Sequence, residues 1–513
     1  MPPTTASLPL RVATLLVLAA LLVPASLAPA LLAPSPVHGQ DPATPPTIEV
    51  SGSPLLRDEP GRGVLIRVTL REPAHLRLLV TDFDGQVVRE LYDGDRGVGD
   101  LGRRWRGRDA DGRLVAVGAY RVRAIASTAA VPTGVASDAW VTVADHAAYP
   151  ADPGAITGVV DPGHGGPFDG AVARDGTREA DLNLDIGLRL ARMLEGAGVH
   201  VVLTRDSDRQ VDQPPIDRIP DGILDVTDDL AARADLANAV RADLFIAIHN
   251  NTAVDRTTGG PSTYYSDERT FSARSRHLAR IIQAHMVAAL DAVGSGAWAP
   301  YDHGVLAYPY YVLRDYDPPR LLRPSQMPAV LSEGLFLSNP RELRMLQRPR
   351  VRQAMAVAYY ESVVEYLATR GSHVGYALLR APTTVEAGSP VELELEVRDQ
   401  GTTTLRGWHL AVGAQVDGST ALGRARPGGT LGERRIPTRR PGQRRTLRVT
   451  ATAPVEPGRW VLLVDARGPT GGRASEAGSP MLQVPIEVTA PASADSSVVP
   501  ASPTPGSSVA PTP

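Results

Sequence analysis

A chain of 513 residues with 43% apolar and 21% charged side chains is too long for one ordinary core, so two to four globular domains are expected. Its formal net charge of -3 argues against a general nucleic-acid binder, which needs a strong positive excess on some face. Without cysteine it has no disulfide framework and no thiolate metal ligands, and without lysine all 53 basic residues are arginine.

In chain order, Arg11 precedes the apolar run of residues 12–23, and the small residues Ser26 and Ala28 follow. A charged start, a short apolar stretch and a small-residue zone describe a signal peptide, and the run is short for a membrane span. Apolar residues resume at Leu31 and Leu32, so an N-terminal anchor is the alternative over residues 1–39; either way a secreted or cell-envelope location is expected. A Pro-rich linker covers residues 34–48. Residues 46–148 alternate apolar and polar over short runs separated by Asp84-Gly85, Asp93-Gly94 and Asp111-Gly112, which predicts a β-sandwich. The Asp-x-Asp-Gly spacing suggests calcium, but no distal glutamate completes such a loop and turn chemistry explains it. The stretches around Val80-Thr81-Asp82-Phe83-Asp84-Gly85 and Trp105-Arg106-Gly107-Arg108-Asp109 resemble the immunoglobulin-like module of flagellar hook-capping proteins, a resemblance that implies fold alone.

The rhythm changes over residues 154–369. Residues 156–160 read as a buried strand; Leu182, Ile186, Leu190 and Leu194 then recur at helical spacing up to Gly198. Further strands are expected at 199–204, 244–248 and 329–331, with helices at 229–240, 274–292 and between 341 and 368. The alternation predicts an α/β domain with a mostly parallel sheet and helices on both faces, flanked by two β-sandwich domains. The second sandwich is expected over residues 373–490, and a Pro/Ser/Thr-rich disordered tail over 491–513.

Function in such sheets gathers at the carboxyl ends of the strands. His164 lies in the glycine-rich turn Asp161-Pro162-Gly163-His164-Gly165-Gly166 after the first strand, either as a metal ligand or as a loop histidine. Glu179 opens a helix, where the dipole favours a carboxylate with or without a metal. His249 ends an apolar strand and meets Asn250 and Asn251, as a ligand or as a capped core histidine. Glu333 follows the apolar residues 329–331, where a carboxylate is costly unless it is paired or placed beside a metal. Two imidazoles and one carboxylate from three segments form the ligand set of a catalytic zinc site that leaves one position for water.

Together with Arg178-Glu179-Ala180-Asp181-Leu182-Asn183, Ile248-His249-Asn250-Asn251 and Ser332-Glu333-Gly334-Leu335-Phe336-Leu337-Ser338-Asn339-Pro340, that turn resembles the zinc-dependent N-acetylmuramoyl-L-alanine amidases of bacterial cell-wall turnover, over about residues 154–369. The resemblance implies Zn2+ ligation by His164, Glu179 and His249, Glu333 as catalytic acid/base, and peptidoglycan as substrate. Rival readings are a metallopeptidase acting on the stem or cross-link peptides, and an inactive wall-binding protein. Asp161 and Asn251 either orient ligands or make local turn bonds; Arg205 and Arg314 either meet stem-peptide carboxylates or are structural. The flanking sandwiches are expected to anchor the enzyme at the envelope or act as spacers.

Overall fold

The computed structural model describes residues 44–57, 63–145, 156–269, 271–294, 298–315, 321, 323–416, 428–479 and 481–491. The leader expected over residues 1–39 and nearly all of the tail lie outside them. No helix among the described residues is long and apolar enough to cross a membrane.

The central domain is built on a six-stranded sheet. Its strands are β1 (Thr157–Pro162), β2 (His200–Leu203), β3 (Leu244–Asn251), β4 (Ser262–Tyr265), β5 (Val305–Ala307) and β6 (Ala329–Phe336). Five helices accompany them: α1 (Glu179–Gly196), α2 (Val226–Ala239), α3 (Ser272–Val293), α4 (Pro340–Leu346) and α5 (Pro349–Ala368). The spatial order is β2-β1-β3-β6-β4-β5.

The apolar runs of β1, β3 and β6 are continuous because both of their faces are covered. Leu244, Ile246 and Ile248 pack with Val160, Val330 and the buried faces of α1, α3 and α5. Their neighbours Phe245 and Ala247 point the other way, onto Ala237 of α2 and onto Val312, Leu313 and Met327. Each of the larger of these side chains, the leucines, isoleucines, valines and Phe245, stabilises the fold by roughly 1.5–3 kcal/mol when fully withdrawn from water.

Three expectations need correction. The sheet is mixed rather than mostly parallel: β2, β1, β3 and β6 run together, but β4 lies antiparallel to β6 and carries β5 with it. The chain leaves β3 and returns along β4 through the loop of residues 252–261, which an antiparallel strand permits without a crossover helix. Strands of four and three residues present little periodicity to read. Second, α2 starts at Val226 rather than 229, because Asp225 accepts from Thr227 N and forms a capping box with Asp228. Third, Glu333 lies inside β6 rather than after it.

Each flank contains a three-stranded and a five-stranded sheet. In the N-terminal flank, Val64, Ile66 and Val68 of one sheet share a core with Leu76, Leu78 and Val122 of the other. Its Asp-Gly turns are held locally: Asp82 accepts from Gln86 N and Asp109 from Arg113 N, both at 2.8 Å. In the C-terminal flank, Val391, Leu393 and Leu395 share a core with Leu410, Leu462 and Val464. The N-terminal flank packs directly on the central domain. Leu56, Ala119 and Ala144 join the core around α1, and buried Arg189 of α1 pairs with Asp84 while lying 4.5 Å from the Phe83 ring.

Candidate metal centre

The site starts from a turn that tolerates only certain residues. His164 itself has a left-handed backbone, φ 63°, and is followed by Gly165 at 121° and Gly166 at 60°. A non-glycine residue pays roughly 1–2 kcal/mol for that conformation, so the surroundings must hold it. Gly163 is required for another reason: a Cβ there would lie 2.2 Å from the His249 ring.

Two buried arginines hold the turn by its carbonyls. Arg233 of α2 donates to Pro162 O at 3.1 Å, to His164 O at 2.9 Å and to Asp161 Oδ1 at 2.7 Å, and pairs with Asp229 one helical turn away at 2.8 Å. Arg205 donates to Pro162 O at 2.8 Å, Gly163 O at 2.9 Å and Ala180 O at 2.7 Å. Burial, then the charge of Arg233, pull the Arg205 guanidinium down to about 10. Arg205 is therefore structural, one of the two roles expected of it. Arg314 donates to Pro309 O at 3.2 Å.

Glu179, the first residue of α1, stands 5% exposed between two imidazoles. Its Oε1 is 3.0 Å from His249 Nδ1 and its Oε2 is 3.3 Å from His164 Nε2. Oε1 also accepts from Asn183 Nδ2 at 3.1 Å and Asn250 N at 3.2 Å, and Oε2 from Ala171 N at 2.9 Å. Burial alone would raise this carboxyl, but the hydrogen bonds and charges of His164 and His249 hold it far below the ordinary carboxylate range. The two imidazole rings lie 4.9 Å apart at 78°. One ligand atom from each of His164, Glu179 and His249 falls within 4.8 Å of the others, the spread of a single-ion donor set.

Glu333 faces the same place from the neighbouring strand. In the β3–β6 ladder it is the register partner of His249, just before the register shifts by one extra residue in β6. It is 8% exposed, and its Oε2 has no hydrogen-bond partner. Burial pushes this carboxyl well above its ordinary range, and the negative charge of Glu179 adds to the shift. A buried carboxylate oxygen left without a donor beside two imidazoles and a second carboxylate is costly unless a cation or a proton sits there. The donor chemistry thus fits a divalent metal.

Of the four side chains singled out in the sequence, His164, Glu179 and His249 converge, and Glu333 lies in register with His249 on the adjacent strand. Asp161 joins the supporting network, accepting from Thr204 Oγ1 at 2.6 Å, whereas the side-chain oxygen of Asn251 accepts from Thr252 N, a turn bond. Sequence reasoning missed Asn183 and Asn250, whose side chains bond each other at 2.9 Å and tie Glu179 to β3 and, through Leu335 N, to β6. It also missed Arg233, although Asp229 and Arg233 at (i, i+4) inside an alanine-rich helix are a readable signal.

Residues 159–365 match the family model of N-acetylmuramoyl-L-alanine amidases, and residues 56–130 match that of the FlgD Ig-like domain. The central domain belongs to the amidase family. Among curated proteins, the germination-specific N-acetylmuramoyl-L-alanine amidase of Bacillus subtilis is 28% identical, over 41% of this chain and 80% of its own length. The amidase LytC of the same organism is 30% identical over 40% of this chain and 34% of its own length, and AmiA of Escherichia coli 27% identical over 40% and 75%. Among solved structures, the amidase AmiC2 of Nostoc punctiforme is 28% identical with a TM-score of 0.32, covering 41% of this chain and 97% of that one. The matched segment spans the amidase domain from β1 to α5, with His164, Glu179, His249 and Glu333 inside it.

Proposed function

We propose that the amidase domain holds zinc through His164, Glu179 and His249 and hydrolyses the amide between N-acetylmuramic acid and L-alanine in peptidoglycan. The observation that carries this reading is the convergence of three metal-type donors within 4.8 Å, with a buried, unpartnered carboxylate on the adjacent strand. Zinc bound by such a set supplies Lewis acidity toward a carbonyl and toward water.

The chain's own residues do the rest. Glu333, acting as its carboxylate, takes a proton from the attacking water and, then as the acid, delivers it to the departing alanine nitrogen. Water adds to the lactyl carbonyl, the C–N bond breaks, and the products are a lactyl carboxylate and the free amine of L-alanine. Proton transfer of this kind contributes roughly 10²- to 10⁴-fold. Glu179 is engaged by both histidines, whereas Glu333 keeps an oxygen without a hydrogen-bond partner, so the proton-carrying role falls to Glu333. Asn183, Asn250, Arg205 and Arg233 hold the donors in place.

In this reading the paired sheets of each flank form β-sandwiches that station the enzyme at the envelope or space it from an anchor, and the chain acts outside the cytoplasm after export. Digestion of purified peptidoglycan with identification of the new termini tests the chemistry. Free muramyl lactate together with N-terminal L-alanine is the expected result. Cleavage between two amino acids with the lactyl amide intact would mark a peptidase instead.

A further inference from the structure

Beside the metal centre, the loops that follow three of its residues enclose a groove. Its first part, a cavity of about 400 Å³, is walled by the 172–175 turn, the 252–256 loop after β3 and the segment running from Leu337 into α4. Its second part, about 700 Å³, continues past Trp298, Tyr301 and His303. Arg256 and Arg344 line both parts.

The walls are tied to the site. Ala171 N, at the root of the first turn, donates to Glu179 Oε2 at 2.9 Å. The 252–256 loop is fixed to the segment after β6 by Ala253 N on Ser338 Oγ at 2.9 Å and Arg256 Nε on Ser338 O at 3.1 Å. That last bond leaves the forked Nη end of Arg256 directed to nothing else among the described residues. Arg174 and Arg344, both exposed, likewise form no ion pair among the described residues. The acidic neighbours are otherwise engaged: Asp175 with Thr177 N and the Gln347 side chain, Asp255 with Thr257 N, and Glu342 with Phe336 N. At the rim, Val254 is fully exposed and Val172 is 55% exposed, apolar surface that suits a small alkyl side chain.

A scissile muramyl amide has a sugar on one side and a peptide on the other, and only the peptide side of the bond carries free carboxylates. Guanidinium forks match carboxylates in geometry as well as in charge. Resting on the amidase reading, we propose that the groove centred on Arg256 and Arg344 is the peptide-side subsite and selects stem peptides with free carboxylates over amidated ones. The arginine pair first considered for this task, Arg205 and Arg314, is committed to backbone carbonyls, whereas Arg256 and Arg344 stand in the open beside Glu333's own strand.

The test is calorimetric titration of the full-length protein with L-alanyl-D-glutamate and with the same dipeptide carrying both carboxyls as amides. The wild type is expected to bind the dicarboxylate about tenfold or more tightly than the diamide, with the gap narrowing as salt rises. In the exposed-site double variant Arg256→Gln/Arg344→Gln the two ligands are expected to bind alike, and Arg256→Lys/Arg344→Lys to recover part of the preference. Equal affinities in the wild type, or a preference that survives the double glutamine variant, would overturn the proposal. Because binding is read without turnover, a failed amidase reading shows up separately, as an intact lactyl amide in the peptidoglycan digest.

Discussion

Replacing Arg233 with methionine tests whether the site depends on its buried scaffold. The side chain is 1% exposed and bonds two carboxylates, Asp161 and Asp229, together with the carbonyls of Pro162 and His164. Methionine keeps much of the volume, so the loss is electrostatic: Asp161 and Asp229, each at 2% exposure or less, remain buried without their cation. Breaking a buried pair in this way costs about 3–5 kcal/mol. For a domain of this size that lowers the central domain's melting temperature by roughly 6–20 °C. It also releases the carbonyl that holds His164 in its left-handed conformation, so zinc affinity should fall by about 10- to 100-fold. Urea melts followed by tryptophan fluorescence, and zinc competition against a chromophoric chelator, read both effects. Neutralising Asp229 as well, in Arg233→Met/Asp229→Asn, should return part of the stability. A loss below about 1 kcal/mol with unchanged zinc affinity would refute the claim that this network shapes the site.

Glu333→Gln should leave zinc binding intact and lower kcat on peptidoglycan by about 10²-fold or more, because the amide cannot carry the proton; an unchanged rate removes Glu333 from the chemistry. Gly163→Ala sets a methyl 2.2 Å from the His249 ring, so zinc affinity should drop by about tenfold or more, and an unaffected isotherm would show that the turn yields freely. Glu342 is buried, and its carboxyl is pushed up to about 7 from 4.5. A raised acid favours the folded state below the unfolded value and loses that advantage as pH climbs to the folded one. Stability should therefore fall by up to about 3 kcal/mol between pH 4.5 and 7 relative to Glu342→Gln, and parallel pH profiles for the two proteins would contradict this.

How much the sequence discloses depends on how local each signal is. Strands covered on both faces, such as β3, write themselves as unbroken apolar runs, and α1 repeats its leucines at helical spacing. The short edge strands β4 and β5 do neither, which is why the sheet's mixed character emerges only in three dimensions. Glu333 and His249 are conspicuous because polar groups interrupt apolar strands, yet their direct register across β3 and β6 is a long-range fact. Arg233 went unread and Arg205 stood between two roles for one reason: arginine usually seeks solvent, and nothing local announces that backbone carbonyls of a distant turn will take its donors. Asn183 and Asn250 are hidden in the same way, each meaningful only as the other's partner.

The central claim is that His164, Glu179 and His249 hold one zinc ion for amide hydrolysis. Its most direct measurement is zinc content by elemental analysis of the purified full-length protein, paired with muramyl-amide cleavage after chelation and after zinc readdition, for the wild type and for His164→Ala, Glu179→Ala and His249→Ala. One zinc per chain in the wild type, reversible loss of cleavage on chelation, and little retained metal in each variant are the predicted results. Full zinc occupancy in all three variants, or cleavage undiminished by thorough chelation, would contradict it.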